Sequence, residues 1–262
     1  MIPLISVVCP TYNRLQYLPT AIRCFLQQTY PNKELIIVDD GTESSVIPAD
    51  SRIRYIQRDV RMTTGMKRNL GAEAASGDII ASWDDDDWSH PHRLEDQVQR
   101  LLRTGKAVTG YCQTIRFYDA TRTLYTGSSS PPYFVSGTSQ MYMKSWWGLH
   151  PFPDASYGED SVFSRTARLA DQLAAANPGK MMVVLAHANN TDIVCPNQRN
   201  KLTPNDVSEE FFRAHDAPVK DLAYMTEPHI CSDRCQADVA QQINSDIGQD
   251  YKVTYLPEIQ TR

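Results

Sequence analysis

Residues 79–94 read IIASWDDDDWSHPHRL. The apolar run of Ile79, Ile80 and Ala81 has the character of a short buried strand, and it leads into four consecutive carboxylates, Asp84, Asp85, Asp86 and Asp87. Pro91 then opens a helical pattern. Adjacent like charges repel by roughly 1 kcal/mol per close pair even in water, and by more beside protein. An apolar strand that ends this way is expected to have a positive partner for its acids. Carboxylate oxygens suit Mg²⁺ or Mn²⁺, and an ion held through one or two of them completes its shell on substrate phosphates. The alternative is a solvated turn in which Asp87 starts the next helix.

The same pattern recurs upstream. Residues 4–9 (LISVVC) form an apolar, β-branched run closed by Pro10, as expected of a strand covered on both faces. Leu18, Ile22, Phe25 and Leu26 share one helical face. Residues 34–38 (ELIIV) predict a second buried strand, which also runs into paired acids, Asp39 and Asp40. Residues 53–56 predict a third. Residues 65–75 (GMKRNLGAEAA) predict a helix with Gly77 as its C-cap. Beyond the acidic run, Leu94, Val98, Leu101 and Leu102 predict one apolar helix face. Strands alternating with helices define an α/β fold with a mostly parallel sheet flanked by helices. Two strands thus deliver acids at their carboxyl ends, where open α/β sheets bind ligands, which favours the metal–phosphate reading.

Past Ala107 the pattern changes. Residues 108–118 and 123–125 predict paired strands, residues 127–132 (GSSSPP) a mobile loop, and residues 135–143 another strand. Trp146 and Trp147 precede a stiff PFP segment and Gly158-Glu159-Asp160. A helix is expected over 161–173, a turn at 177–179, and a last buried strand over 181–185 that ends near His187. Beyond residue 200 the apolar signal weakens to Phe211, Phe212, Leu222, Tyr224 and Val239. The expected organisation is a main domain over 1–200 and a small helical C-terminal extension over 201–262.

The 262 residues are 41% hydrophobic, with no run near the ~20 apolar residues of a membrane span. Met1 leads straight into strand-like residues, so the expectation is no signal peptide and a cytoplasmic protein. A net charge of -5 disfavours a broad nucleic-acid-binding face. Cys9, Cys24, Cys112, Cys195, Cys231 and Cys235 are spread as reduced thiols rather than a disulfide framework. Cys231 and Cys235 beside His229 lack the second pair a zinc site needs.

Taken in order over residues 5–191, these motifs resemble the family 2 glycosyltransferases of the GT-A fold. Residues 6–14 (SVVCPTYNR) are similar to the family's opening strand and loop, and QTYP at 28–31 with VDDG at 38–41 to its second block. KRN at 67–69 and ASGD at 75–78 resemble the helix before the metal strand. Asp84-Asp85-Asp86 falls at the DXD position, Gly158-Glu159-Asp160 at the acidic acceptor-side position, and His187 with Asn190-Thr191 at a closing motif. The resemblance implies a Rossmann-like GT-A domain that moves a sugar from a nucleotide-diphosphate donor, a UDP-sugar first, to an acceptor hydroxyl with inversion. It implies Mn²⁺ or Mg²⁺ held by Asp86, with Asp84 and His187 in support. Asp160 is the expected general base and Glu159 the runner-up. Donor contacts are expected from Pro10, Tyr12, Arg14, Asp39 or Asp40, Lys67, Arg68, Asp84 and Asp85, with Asn69 bracing the acidic loop. Trp146 and Trp147 are the expected acceptor platform. The competing readings are a nucleotide-sugar-binding domain without turnover, a nucleotidyltransferase, which a missing P-loop pattern disfavours, and a transferase acting on a hydroxylated nucleic-acid base.

Overall fold

The computed structural model describes residues 2–43, 47–118, 123–128, 135–176, 181–187, 190 and 254–255. The expected helical extension, Cys195, Cys231, Cys235, His229 and Thr191, the 129–132 part of the loop and the 177–179 turn all lie outside these residues.

β1 (Ile5–Thr11), β2 (Lys33–Asp39) and β3 (Ile53–Gln57) pair in parallel, with α1 (Leu18–Leu26) joining the first two. After α2 (Thr64–Ala74) the chain returns to the other side of β1 as β4 (Ile79–Ser82), again parallel. Strand order therefore reverses around β1. β5 (Trp88–Ser89) and α3 (Arg93–Thr104) lead to β6 (Val108–Tyr111), and a hairpin follows, β7 (Gln113–Tyr118) with β8 (Thr123–Ser128). A 3₁₀ turn (Gly137–Ser139) precedes β9 (Met141–Met143), α4 (Lys144–Leu149), α5 (Glu159–Leu169), β10 (Leu173–Ala176), β11 (Met182–Ala186) and β12 (Thr254–Tyr255). The main sheet has the order β10-β6-β9-β4-β1-β2-β3, and only β9 runs antiparallel to its neighbours. A second sheet, β12-β8-β7-β11-β5, begins directly after the four acids.

Both faces of the main sheet are covered. Ile5, Val7 and Cys9 pack with Leu18, Ile22 and Phe25 of α1 and with Leu94, Val98 and Leu101 of α3. Val8, Ile36, Val38 and Ile80 point the other way, against Ala72 of α2 and Phe163 and Ala167 of α5. Each such large side chain removed from water contributes roughly 1.5–3 kcal/mol. Arg93, fully buried, fastens the strand that carries the acids. Its guanidinium donates to Ser82 O (2.7 Å), Thr138 O (2.6 Å), Ser89 Oγ (2.9 Å) and Gln97 Oε1 (3.1 Å), and lies over the Trp83 ring. Burial brings its pKa down to about 10, so it stays charged at neutral pH.

Several local expectations are corrected. Leu102 is 63% exposed, because Leu101 takes the core position and the next residue turns away by about 100°. α2 ends on Ala75 in an extended conformation, not at Gly77. The expected strand over 135–143 is interrupted by the 3₁₀ turn. The expected helix over 161–173 begins at Glu159 and stops at Leu169, and β10 follows it. Asp87 does not start α3, whose N-cap is His92; its Oδ1 instead accepts from Leu185 N of β11 (3.0 Å), tying the acidic loop to the second sheet.

Candidate active site

The carboxyl ends of β1, β2 and β4 lie side by side where strand order reverses, the place where open α/β sheets leave a crevice. β2 delivers Asp39 and Asp40. Asp39 Oδ1 accepts from Gly41 N (2.7 Å) and Oδ2 from Tyr55 Oη (2.7 Å). Asp40 accepts from Lys67 Nζ (2.8 Å) and Arg61 Nη1 (2.6 Å), and from the Met62 backbone N–H. Burial pushes the Asp40 carboxyl up, but the hydrogen bonds from Lys67, Met62 and Arg61 outweigh it and hold the group below its ordinary value. Lys67 is buried on α2 and also donates to Thr11 O at the end of β1 (2.8 Å); burial lowers its pKa. The Arg61 guanidinium lies 3.5 Å from the centre of the Tyr12 ring. Pro10 occupies β1 in register with Val38.

The four acids part company after β4. Asp84 turns to Arg68, whose Nη2 donates to Oδ1 (2.9 Å). Asp85 points inward, accepting from Thr11 Oγ1 (2.6 Å) and Arg14 Nη1 (2.9 Å). Burial and the neighbouring Asp86 charge raise it to about 6 against the opposing pull of Arg14. Asp86 Oδ2 accepts from Arg14 Nη1 (2.8 Å) and Asn190 Nδ2 (3.1 Å), and lies 3.0 Å from His187 Nε2. The His187 ring stacks on Tyr17 (4.5 Å between centres), and β11 brings it there. Burial, then Asp86 and Asp84, push Asp87 well above the ordinary carboxylate range.

From the acceptor side, Gly158 adopts φ 75°, a left-handed turn that glycine takes without strain, and opens α5 at Glu159. Glu159 is buried, and Arg68 Nε donates to its Oε1 (3.3 Å). Arg68 therefore joins the acid of β4 to the acids of α5, and its third nitrogen, Nη1, is buried with no hydrogen-bond partner. Asp160 Oδ1 accepts from Ser161 N (2.7 Å), while its other oxygen fits against Gly137, where an added Cβ would come within 1.9 Å of Oδ2. Burial and the Glu159 charge raise Asp160 to about 6, with Arg68 pulling it down.

Asp40, Lys67, Thr11, Asp85, Arg14, Asp86 and His187 thus form one chain of contacts, and Arg68 links Asp84 to Glu159 beside it. Arg14, Lys67 and Arg68, expected at the donor, are bonded to these carboxylates. The expected metal trio is split. Asp86 meets His187, Asp84 turns away, and among the described residues no three His, Cys, Asp or Glu side chains form a ready metal cage. The donor chemistry nonetheless fits Mn²⁺ or Mg²⁺, because one carboxylate and an imidazole leave room for phosphate oxygens.

Asn69 does not brace the acidic loop. Its Oδ1 accepts from Trp147 Nε1 (2.9 Å) and Phe152 N (2.9 Å), and its Nδ2 donates to Phe152 O (2.8 Å). Trp147 consequently lines a hollow on the outward side of α2, away from the face that carries Lys67 and Arg68. Trp146 packs on His150, 4.1 Å between ring centres. Trp147 thus bonds to Asn69 and Trp146 packs on His150. Sequence reading missed Thr11, Tyr17 and Arg61. Arg61 lies in a polar loop with no periodic signal, and Thr11 and Tyr17 are marked only by sitting next to positions the motifs single out.

This arrangement, a switch-point crevice lined with acids in a mostly parallel sheet, defines the GT-A class of nucleotide-sugar fold. Solved structures of Staphylococcus aureus TarS share it. The complex of its residues 1–349 with UDP-GlcNAc superposes with a TM-score of 0.57 at 16% identity, covering 92% of this chain and 72% of that one. The profile of glycosyl transferase family 2 matches residues 6–165, and the chain belongs to that family. Among curated relatives, a glycosyltransferase of Haemophilus influenzae is 34% identical over 114 residues, covering 41% of this chain and 46% of that protein. The colanic acid biosynthesis glycosyl transferase WcaA of Escherichia coli K12 is 41% identical over 99 residues, covering 35% of this chain and 36% of that protein. The match thus spans less than half the length of these relatives. No helix among the described residues is long and apolar enough to cross a membrane.

Proposed function

We propose that the chain is an inverting glycosyltransferase that takes its sugar from a UDP-sugar, uses a divalent cation at Asp86, and employs Asp160 as general base. The observation that carries this reading is the pair of adjoining contact networks at the ends of β1, β2 and β4, one running from Asp40 to Asp85 and the other reaching the first turn of α5 through Arg68. The complexes of TarS with UDP and UDP-GlcNAc support a uridine nucleotide.

In this reading the nucleoside lies along Tyr12 and the Asp39–Asp40 end of β2, and the diphosphate faces Arg14. Asp86 and His187 would hold Mn²⁺ or Mg²⁺, which when bound offsets the charge that grows on the leaving diphosphate. The acceptor oxygen attacks the anomeric carbon, the bond from that carbon to the diphosphate breaks, and the hydroxyl proton passes to the Asp160 carboxylate. A pKa of about 6 suits that task, since the group is ionised at neutral pH yet more basic than an ordinary aspartate. Glu159, held by Arg68, orients the start of α5.

Donor hydrolysis measured with and without Mn²⁺, with the configuration of the released sugar read by NMR, tests the proposal. Asp86→Asn is expected to remove the metal-supported rate while the circular dichroism spectrum stays unchanged. Asp160→Asn is expected to keep UDP binding and lose transfer. Near-normal rates in the second variant would exclude Asp160 as the base, and release of sugar with retained configuration would exclude inversion.

A further inference from the structure

We infer that the hollow on the outward side of α2 is a carbohydrate-binding subsite, separate from the acid-lined cleft, in which a sugar ring lies on Trp147. The hollow is a shallow depression with a volume of about 560 Å³. Met66 and Leu70 of α2 give it an apolar lining together with Trp147, and Arg58, Asp59 and Glu73 add polar groups to the same lining.

Three observations point to a sugar. First, the indole is preset. Its N–H is held by Asn69, and Asn69 is itself clamped by both backbone groups of Phe152, so the ring needs no ordering when a ligand arrives. Second, apolar surface is left uncovered here: Val60 is 74% and Met66 40% exposed, both lining the hollow. Third, carboxylates and a guanidinium stand within the same depression, so a ligand must satisfy an apolar face and polar edges together. A pyranose does so, with C–H groups on its faces and hydroxyls around its rim. Other occupants fit less well. Asp59 and Glu73 would repel a phosphate or an anionic lipid headgroup. An apolar peptide would strip water from the lining charges without pairing them.

The hollow also borders the donor side of the cleft. Met62, one of its lining residues, is the residue whose N–H holds Asp40. A glycan lying on Trp147 would therefore approach the Asp40 end of the cleft rather than the Asp160 side, and its binding does not depend on the transfer reaction proposed above.

Short soluble oligomers of N-acetylglucosamine and of glucose, titrated against the full chain with the heat of binding in isothermal titration calorimetry as the readout, test the subsite. A saturable change is expected with at least one series, lost in Trp147→Ala and kept in part in Trp147→Phe. Because Trp147→Ala also removes a partner of Asn69, the Asp59→Asn/Glu73→Gln double variant serves as a second probe, and its affinity is expected to fall about fivefold, as for one hydrogen bond lost. UDP is expected to leave the glycan response in place. No saturable response with any oligomer, an equal response in Trp147→Ala, or displacement of the glycan by UDP would each overturn the inference. Glycan binding that persists when donor hydrolysis is absent upholds the subsite and refutes only the transfer reading.

Discussion

Replacing the proposed base with its amide should make the protein more stable as well as inactive. Asp160 has an ordinary carboxyl value of 3.8 and is raised to about 6 in the fold, first by burial and then by Glu159. Between those values the folded state holds a proton that the unfolded chain has released. Stability is therefore fully present below about pH 4 and is lost as pH rises through about 6. A displacement of about two units corresponds to about 3 kcal/mol at 1.36 kcal/mol per unit, and to about 2 once the partial exposure of the side chain is allowed for. Asparagine cannot ionise, and its side-chain oxygen can still accept from Ser161 N, so Asp160→Asn removes this loss without stripping the helix start. Urea unfolding at about pH 8 should show the variant about 2 kcal/mol more stable than the parent, and at about pH 4 the two should nearly coincide. Asp85, also raised to about 6, contributes the same slope to both proteins and cancels in the difference. In the parent, kcat/KM should fall as pH drops through about 6. A variant no more stable at high pH, or equally stabilised at both, would refute the electrostatic account of this carboxylate.

Arg68→Met removes the one cation among the described residues that is bonded to both Asp84 and Glu159, leaves Glu159 buried without that partner, and should cost about 3–5 kcal/mol by urea unfolding. Where enough folded protein remains, the acid limb of its pH–rate profile should move above the parent's, because Arg68 lowers the Asp160 pKa. Lys67→Met takes from Asp40 the strongest of the hydrogen bonds that hold it ionised, so acid unfolding should begin at higher pH than in the parent. Gly137→Ala would place a Cβ 1.9 Å from Asp160 Oδ2; the carboxylate must swing away, and turnover should fall at least tenfold while UDP binding, measured by calorimetry, stays unchanged.

The fold was legible wherever a run of residues obeyed one period. The buried strands ISVVCPT and KELIIVD and the helix RLEDQVQRLLRT fall where their apolar spacing predicts, because covering on both faces leaves no other arrangement for those residues. β10 was illegible for the converse reason. Its residues, LAAA, are good helix formers and follow a helix, and only parallel pairing with β6 makes them a strand. Leu102 extended an apolar stripe on paper, yet in the fold α3 covers the sheet with a narrower one.

The acids and their cations were unequally readable, and the asymmetry has a physical basis. Four adjacent carboxylates at a strand end contradict local expectation, so they declare a site before any partner is known. Lys67 and Arg68 on a helix look like any solvated basic pair, since spacing along one helix says nothing of what lies across from it. Their burial follows from the return of the chain past β1, which sets the inner face of α2 over the ends of β1 and β4, and from the start of α5 beside it. The same rotation of about 100° per residue sends Met66, Asn69 and Leu70 outward, where Asn69 holds Trp147, one of the two residues expected to form an acceptor platform. The position of a side chain around α2 thus decides which of two surfaces it serves. An unperturbed response to oligosaccharides in Arg68→Met, alongside its altered pH–rate profile, would confirm that the helix separates two independently working faces; coupled loss of both would show that they form one site.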